Sequence, residues 1–500
     1  MLSLLTANQI READAFTITN EPIAPIDLME RASTAFAGRF MIHFHDKSQA
    51  ITVYCGTGNN GGDGLAIARI LYEHKYTDLH IKIARFSEKA SNDFNINLGR
   101  LERIGLSLTE LKPNTDFPAD NGVIIDALLG SGLNKPLSGD YKKLAEFING
   151  LNKTVVAVDV PTGFFTDGEI DPAATVVKAD LVITFQQPKI NFLLPESAPY
   201  IKDWEVAAIG IDENFVLSLN SPYQFIEEYD IKKVLKPRQH FSNKGTYGHA
   251  LIVAGQAKTM GAALLCSSAC VYAGSGLTTA CVPESGLTAL NSYMPEIMAI
   301  VRKGDELPVI EWAQFNTIGI GPGLGKDKNA LALLTDVFTN YHQPVVIDAD
   351  ALNLLAANTD LWKKVPAGSI ITPHMKEFDR LFGKHANWWQ RIKSCMEMAI
   401  QRHIYIVLKN DYTLIATPEG KVYFNPTGNP AMATGGMGDV LTGIITSLLA
   451  QKYTAQEACL AGVYIHGKAG DALALPNRMN VVLPEQVAGY LPEVMVKLMA

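Results

Sequence analysis

The chain has 500 residues, of which 47% are hydrophobic and 19% are charged, and its formal net charge is −8 at pH 7. This length predicts two or three domains, each large enough for its own core. The negative charge, without any run of basic residues, argues against nucleic acid as a partner. The six cysteines are scattered and form no C-x-x-C pair, which argues against disulfides or a zinc site and favours a cytoplasmic location.

Neither a signal peptide nor a membrane span is predicted. The start of the chain has a short apolar patch, but it lacks a basic n-region and a long h-region. The uncharged stretch from Thr259 to Pro283 is long enough to cross a membrane. Its serine, threonine and glycine residues instead predict a buried helix followed by a buried strand.

The first half of the chain alternates helices and strands. Helices are expected over residues 1–20 and 27–44, and strands over residues 51–54, 81–86, 123–126, 155–159 and 181–185. After the first strand comes the glycine-rich run CGTGNNGGDG, and a helical pattern follows from Leu65. Strand, glycine loop and helix form the first crossover of a nucleotide-binding α/β sheet. The Asn and Asp side chains of the run suit ribose hydroxyls, a pyrophosphate or a cation; the alternative is a polar turn capped by Asp63.

Polar residues follow the ends of several predicted strands. Asp126 ends one strand, and Asp159 ends the next, shortly before Thr162. Because the carboxyl ends of parallel strands share one edge of the sheet, these residues are expected to lie near Asn60. Buried aspartates need partners, and oxygens of Asn60, Asp126 and Thr162 could hold a hard cation. For each aspartate alone, a helix cap or a turn carboxylate is the alternative.

The motifs GTGNNGGDG, IDALLGSGLNKP and DVPTG together resemble the NAD(P)H-hydrate epimerase domain. The resemblance implies a Rossmann-like α/β/α domain, NAD(P)H hydrate as substrate and K⁺ held by Asn60, Asp126 and Thr162. It also implies that the proton shuttle is Asp159 or Lys135. The residues implied to contact substrate are Asn59, Asn60, Gly61, Gly62, Asp63, Gly130, Ser131, Gly132, Leu133, Asn134, Lys135, Pro136 and Asp159.

A domain boundary is predicted near residues 215–230, where apolar periodicity is weak and turn residues are frequent. The expected domains are residues 1–220 and 225–500. The second half again alternates strands and helices, which predicts a second α/β domain. Its strands are expected at residues 249–254, 317–320, 345–348, 370–373 and 404–409, and each leads into a glycine-rich or polar loop.

The richest loop of the second half is Thr434-Gly435-Gly436-Met437-Gly438, followed by Asp439 and a helical apolar pattern. A glycine loop at a helix N-terminus presents unpaired N–H groups, and the helix dipole favours an anion there. A phosphate or another negative charge is therefore expected at residues 436–438, with Asp439 as a candidate base. The alternative is a tight turn in which Asp439 is only the N-cap.

The motifs GPGLG, DADALN, TPH, IVLKN and NPAMATGGMGDVLTG resemble the ADP/ATP-dependent NAD(P)H-hydrate dehydratase domain, which has a ribokinase-like α/β fold. The resemblance implies ADP or ATP as co-substrate, Mg²⁺ with the nucleotide, and Asp439 as the base. The residues implied to contact substrate are Ala262, Gly323, Gly325, His374 and Asp439. Those implied to contact nucleotide are Lys409, Asn410, Asp411, Tyr412, Thr413, Gly435, Gly436 and Gly438. Asn410 and Tyr412 depart from the family pattern K-G-x-x-T.

Both resemblances, in this order, imply a fused enzyme that repairs hydrated NADH and NADPH, with a homo-oligomeric assembly expected. The S form would be dehydrated in the second half, and the first half would interconvert the R and S forms. The alternative is a ribokinase-like small-molecule kinase fused to a non-catalytic Rossmann-like ligand-sensing module. A stable phosphorylated product would favour that alternative.

Overall fold

The computed structural model describes residues 1–118, 120–476 and 479–499, and its chain divides into two compact units. One unit contains Ser3–Ser221 together with Asn387–Trp389. The other contains Met1–Leu2, Pro222–Ala386 and the residues from Gln390 onwards. They are called the N-terminal unit and the C-terminal unit below.

The N-terminal unit is built on a parallel sheet of seven strands. The chain winds outward from the strand Ile51–Cys55 in one direction and then returns to its other side, which creates a switch point beside Val123–Ala127. Ligands of doubly wound sheets bind at the carboxyl edge of such a point. In spatial order the strands are Leu108–Leu111, Leu79–Ala84, Ile51–Cys55, Val123–Ala127, Val155–Val158, Leu181–Phe185 and Trp204–Ala207.

Two of the helices of the N-terminal unit differ from the sequence expectation. The first begins only at Ala7, where the Thr6 side chain caps it. The third begins at Asn59 with Gly58 as N-cap, so the NNGGDG run is its first turn and not a loop, and Asp63 is not its cap. The α-helices of this unit are Ala7–Asn20, Pro25–His43, Asn59–Glu73, Asn92–Arg103, Gly139–Gly150 and Glu213–Ser218.

The C-terminal unit contains the larger sheet, in which a parallel central part is extended by antiparallel strands. A switch point lies between His249–Val253 and Thr317–Ile320, and the loops that follow the central strands meet at one edge. In spatial order the eleven strands are Leu2–Ser3, Tyr223–Phe225, Val422–Phe424, Leu414–Ala416, Tyr405–Leu408, Ile370–Ile371, Val345–Ile347, Thr317–Ile320, His249–Val253, Leu277–Pro283 and Met298–Arg302.

The uncharged stretch 259–283 forms the helix Met260–Tyr272 and the strand Leu277–Pro283, as its composition predicted. None of the helices within the described residues is long and apolar enough to cross a membrane. The remaining α-helices of the C-terminal half are Glu228–Val234, Leu287–Tyr293, Lys328–Asn340, Ala349–Ala357, Met375–Phe382, Trp388–Arg402, Met437–Ala450, Ala455–Ala474 and Pro484–Met499.

The stretch between the two halves is more ordered than its weak periodicity predicted. The strand Tyr223–Phe225 pairs in parallel with Val422–Phe424 and so belongs to the large sheet. The stretch 215–230, where the domain boundary was predicted, therefore contains a strand of the large sheet that its weak periodicity did not indicate. A strand of three residues is too short to produce a visible alternation, and only its pairing partner reveals it.

Candidate functional site

In the N-terminal unit, the two strands at the switch point bring three predicted cation ligands to one edge. Asp126 lies in the strand Val123–Ala127, and its carboxylate accepts hydrogen bonds from the Thr162 N–H and hydroxyl, both at 2.7 Å. Asn60 lies in the first turn of the neighbouring helix, and its Oδ1 is 3.1 Å from the position that a Cβ on Gly130 would take. Side-chain oxygens that could serve as cation ligands are therefore closely packed at this edge.

Burial dominates the electrostatics of Asp126. Its side chain is fully buried, which raises its pKa to about 6, against hydrogen bonds from Thr162 and Leu128 that lower it. The Nδ2 atom of Asn60 is also buried and has no hydrogen-bond partner in the structure. A fully buried carboxylate next to hydroxyl and carbonyl oxygens fits a bound cation.

The structure places a lysine that sequence reasoning missed against Asp159. Lys189 is 2% exposed, and its Nζ lies 2.9 Å from Asp159 Oδ1. Thr184 Oγ1 and the Phe185 N–H also donate to that oxygen, each at 3.1 Å. Asp159 has a φ of +63°, in the left-handed region that an Asp rarely adopts. Strained backbone of this kind clusters at functional sites.

The predicted substrate loop after Asp126 is mostly exposed. Ser131 is half-buried and lines a cavity together with Asp159, whereas Lys135 is exposed and is not among the residues that line it. The other members of the loop differ in exposure: Gly130 and Leu133 are half-buried, and Gly132, Asn134 and Pro136 are exposed. Of the two proposed proton shuttles, the cavity therefore contains Asp159.

The first turn of the helix Asn59–Glu73 explains its glycines. A Cβ on Gly61 would lie 1.8 Å from the Gly56 carbonyl oxygen, so only glycine allows the helix to start this close to the strand. Gly62 is buried and Asn59 is exposed. Burial and nearby carboxylates raise the pKa of Asp63 well above its usual range, and the Ser33 hydroxyl lies 3.3 Å from its Oδ1.

In the C-terminal unit, an ion pair lies at the base of the glycine loop. Lys409 follows the strand Tyr405–Leu408, and its Nζ is 3.0 Å from Oδ1 of Asp348, which is 1% exposed. Thr442 Oγ1 donates to the other oxygen of Asp348 at 2.8 Å. A Cβ on Gly438 would come within 3.2 Å of the Lys409 Nζ. The ammonium group thus lies directly against the N-terminus of the helix Met437–Ala450.

Asp439 lies in the first turn of that helix, which begins at Met437 with the left-handed Gly436 as N-cap, at a φ of +101°. Asp439 is therefore not the N-cap. Burial is the largest of the effects that raise its pKa to about 7; the nearby Asp348 acts in the same direction and Lys409 opposes it. Asp350 and Glu377 add smaller effects in the upward direction. A carboxyl that titrates near neutral pH beside a lysine has the properties of a general base.

Beside Gly438 lies a cavity of about 240 Å³. Its lining includes the predicted nucleotide residues Lys409, Asn410, Asp411, Thr413 and Gly438, whereas Tyr412, Gly435 and Gly436 are not part of it. The Thr413 hydroxyl donates to the Asn410 carbonyl at 2.9 Å. This hydrogen bond closes the turn that contains Asn410 and Tyr412, the two residues that depart from the family pattern. Asn410 is accommodated at the cavity wall.

His466 lines this cavity and was missed by sequence reasoning. Burial and Lys409 lower its pKa to about 4, so its ring is neutral at physiological pH. Its Nε2 is buried without a hydrogen-bond partner, although the ring lines the cavity. His466 lies in the middle of the helix Ala455–Ala474, where the surrounding sequence carries no glycine-loop or strand-end signal.

The remaining predicted substrate residues lie at the first turn of one helix, in a glycine loop and at the N-cap of another helix. A Cβ on Gly323 would lie 3.0 Å from the Ala262 Cβ, so these two residues adjoin each other. The Gly325 N–H donates to Asp350 at 2.9 Å. His374 caps the helix Met375–Phe382, because its Nδ1 accepts from the Lys376 and Glu377 N–H groups. Its ring is 51% exposed, so it is also open to a ligand.

Both halves match known families. The family described as NAD(P)H-hydrate dehydratase matches residues 250–493, and the one described as YjeF-related protein N-terminus matches residues 25–191. The bifunctional NAD(P)H-hydrate repair enzyme of Thermofilum pendens is 32% identical, over 93% of this chain and 91% of the relative. The one of Coxiella burnetii is 34% identical, over 95% of each chain. The chain belongs to this family.

A solved structure is similar to about half of this member of the bifunctional NAD(P)H-hydrate repair enzymes. It is the ADP/ATP-dependent NAD(P)H-hydrate dehydratase of Bacillus subtilis, co-crystallised with ATP and Mg²⁺. It is 32% identical, with a TM-score of 0.50, and the match covers 55% of this chain and 98% of that one. The predicted family, the predicted fold class and the prediction of an NAD(P)H-hydrate repair enzyme are confirmed.

Proposed function

We propose that the N-terminal unit interconverts the R and S forms of hydrated NADH and NADPH, and that the C-terminal unit dehydrates the S form at the expense of ADP or ATP. We further propose that the enzyme acts in the cytoplasm as a homo-oligomer. Its six cysteines are free and buried, which supports a reducing environment.

The chemistry of the C-terminal unit follows from the leaving group. Hydroxide leaves carbon poorly, whereas phosphate leaves well, so transfer of a phosphoryl group to the 6-hydroxyl prepares the elimination. Asp439 takes the hydroxyl proton as the oxygen attacks phosphorus, and the N–H groups at residues 436–438 hold the transferred phosphoryl group. The position of Asp439, with its raised pKa, beside Lys409 and the helix N-terminus is the observation that carries this assignment.

Magnesium would come with the nucleotide. Within the described parts of the chain, no group of three or more His, Cys, Asp or Glu side chains is arranged to hold a metal ion. Mg²⁺ commonly keeps several waters and binds through substrate phosphates and one or two carboxylates. The carboxylates around Asp439, which include Asp348 and Asp350, suit that mode.

Potassium is proposed for the N-terminal unit, held by oxygens of Asn60, Asp126 and Thr162. These oxygens suit a hard cation, and the burial of Asp126, which raises the pKa of its carboxyl, supports a compensating positive charge at this edge. The ion would neutralise Asp126 and fix the loops that carry the substrate.

The proposed K⁺ site leads to a stability prediction for Asp126→Asn. Because the folded state raises the pKa of Asp126, its ionisation destabilises the fold progressively as pH rises from about 4 to 6, and bound K⁺ offsets that cost above pH 6. K⁺ at tenfold its dissociation constant should stabilise the wild type by about 1.4 kcal/mol relative to tetramethylammonium. Asp126→Asn should lose this difference, as measured by thermal unfolding at pH 8.

Asp180→Asn is the matched control, because Asp180 Oδ2 accepts from the Val155 N–H at the opposite, amino-terminal edge of the same sheet. It should keep the full response to K⁺. Equal responses of the wild type and Asp126→Asn to K⁺ would rule out Asp126 as a ligand.

The whole function is tested with mixed R and S hydrates of NADH, the enzyme, Mg²⁺ and ADP or ATP. The expected result is complete recovery of NADH absorbance with release of inorganic phosphate. A stable phosphorylated product without NADH would instead identify a small-molecule kinase and overturn the proposal.

A further inference from the structure

A cavity of about 80 Å³ in the N-terminal unit brings together groups that no motif joined. It is lined by Asp14, Ser131, Asp159 and Lys189, among apolar residues such as Leu5 and Ile211. Its volume leaves room for a few water molecules. It therefore suits the reacting end of a ligand and not an entire dinucleotide.

Asp159 has one committed oxygen and one open oxygen in this cavity. Its Oδ1 faces the Lys189 ammonium at 2.9 Å and accepts from Thr184 and Phe185. Among the described residues, no hydrogen-bond donor lies on its Oδ2. Lys189 donates in addition to the Phe185 carbonyl at 3.1 Å, which fixes the ammonium in place. The open oxygen of Asp159 is thus available as a proton acceptor, while the Lys189 ammonium on the other oxygen stabilises the negative charge of the carboxylate.

Asp14 reaches the same cavity from a different element, the helix Ala7–Asn20. Burial raises its pKa to about 6, Lys189 opposes this, and Asp159 adds to it. Asp63 is a third carboxyl that interacts with both. Both carboxyl groups line one cavity, and of the two only Asp159 is held by the Lys189 ammonium at 2.9 Å. Two carboxyl groups with such different surroundings suit an acid and base pair.

We propose that Asp14 is the general acid that works opposite Asp159 in the epimerisation, with Lys189 as the positioning residue that holds Asp159. The inference rests on the proposed epimerase function of this unit. It adds a catalytic residue that lies outside every motif of the sequence.

The chemistry balances with one proton and one water molecule. The Asp14 carboxyl protonates the hydroxyl on C6, the C6–O bond breaks to release water, and the lone pair of the ring nitrogen forms the N1=C6 bond. Water then attacks C6 on the other face, Asp159 Oδ2 takes its proton, and the N1=C6 electron pair returns to nitrogen. A proton passes from Asp159 to Asp14 through solvent and resets the pair.

The test measures conversion of pure R hydrate to S hydrate by the full-length enzyme without nucleotide, so that dehydration is absent. Asp14→Asn should lower the turnover number about 10²-fold or more. Isotopically labelled water should enter the 6-hydroxyl at a correspondingly lower rate, because the same C–O cleavage is required. Asp167→Asn is the control: Asp167 accepts from the Ala7 N–H at the start of the same helix and does not line the cavity.

The pH profile separates the acid role from a structural one. The charged groups that face Asp14 are Lys189, Asp159 and Asp63. Wild-type turnover should fall as pH rises above about 6, because Asp14 then loses its proton, and Asp14→Asn should lack this falling limb. Asp14→Ser, which is smaller and also neutral, serves if the Asn variant does not fold.

Turnover within twofold of wild type in either variant, with the falling limb retained, would overturn the assignment of Asp14. Absence of epimerisation in the wild type would instead overturn the proposed function of the unit.

Discussion

Asp439→Asn should reduce dehydration of S hydrate by about 10²- to 10⁴-fold, the usual contribution of a positioned general base. The variant keeps the shape of the side chain, and the N–H groups of the glycine loop are unchanged. Nucleotide affinity should therefore be equal or tighter, because a negative charge beside the phosphates is removed. Calorimetric titration with ADP and a stopped assay of NADH recovery measure the two quantities separately.

The same role predicts the pH dependence of the wild type. The base acts when it is deprotonated, so the rate should rise with pH up to about 7 and then level off. Asp336→Asn is a suitable control, because burial likewise raises the pKa of Asp336, whose carboxylate accepts from Asn340 on the helix Lys328–Asn340. Near-wild-type turnover in Asp439→Asn would exclude the role.

Lys409→Met should both abolish nucleotide binding and destabilise the C-terminal unit. Asp348 is 1% exposed, and the substitution leaves its charge without the ammonium at 3.0 Å. Removal of one partner of a buried ion pair costs about 3–5 kcal/mol, and the partial exposure of Lys409 favours the lower end. Hydrogen exchange of the amides of the helix Met437–Ala450 measures this loss within the unit concerned.

A double variant distinguishes the ion pair from other causes. Adding Asp348→Asn to Lys409→Met removes the unpaired charge and should recover most of the protection of those amides, while nucleotide binding stays lost. Equal hydrogen-exchange protection in the single and double variants would show that the unpaired charge of Asp348 is not what destabilises the unit.

The parts of the sites that the sequence predicted are those encoded by local patterns. Asp126 lies near the end of one strand, Thr162 comes shortly after the next, and Gly436 and Gly438 lie at the start of a helix. Their places at the edge of a parallel sheet follow from general rules. Parallel pairing of the strands at the switch point then brought Asp126 next to the helix that carries Asn60. These geometric expectations needed no knowledge of long-range packing.

Lys189, Asp14 and His466 could not be found in that way. Each lies in a segment without a glycine loop, and each gains its chemical character from partners distant in the chain, such as Asp159 for Lys189. The available signal was weak: a lysine just before the apolar residues that follow a strand, or an aspartate on the buried side of a helix. Burial and electrostatic neighbours, which decide the pKa of these groups, are tertiary properties.

The central claim is the division of labour between the two units, and the most direct measurement supplies pure R hydrate with Mg²⁺ and ADP or ATP. The wild type should convert all of it to NADH quickly. Asp159→Asn should recover NADH only at the slow rate of spontaneous epimerisation, yet consume S hydrate at the wild-type rate. Rapid consumption of R hydrate by Asp159→Asn would contradict the account, because either the epimerisation would not depend on Asp159 or the C-terminal unit would accept both forms.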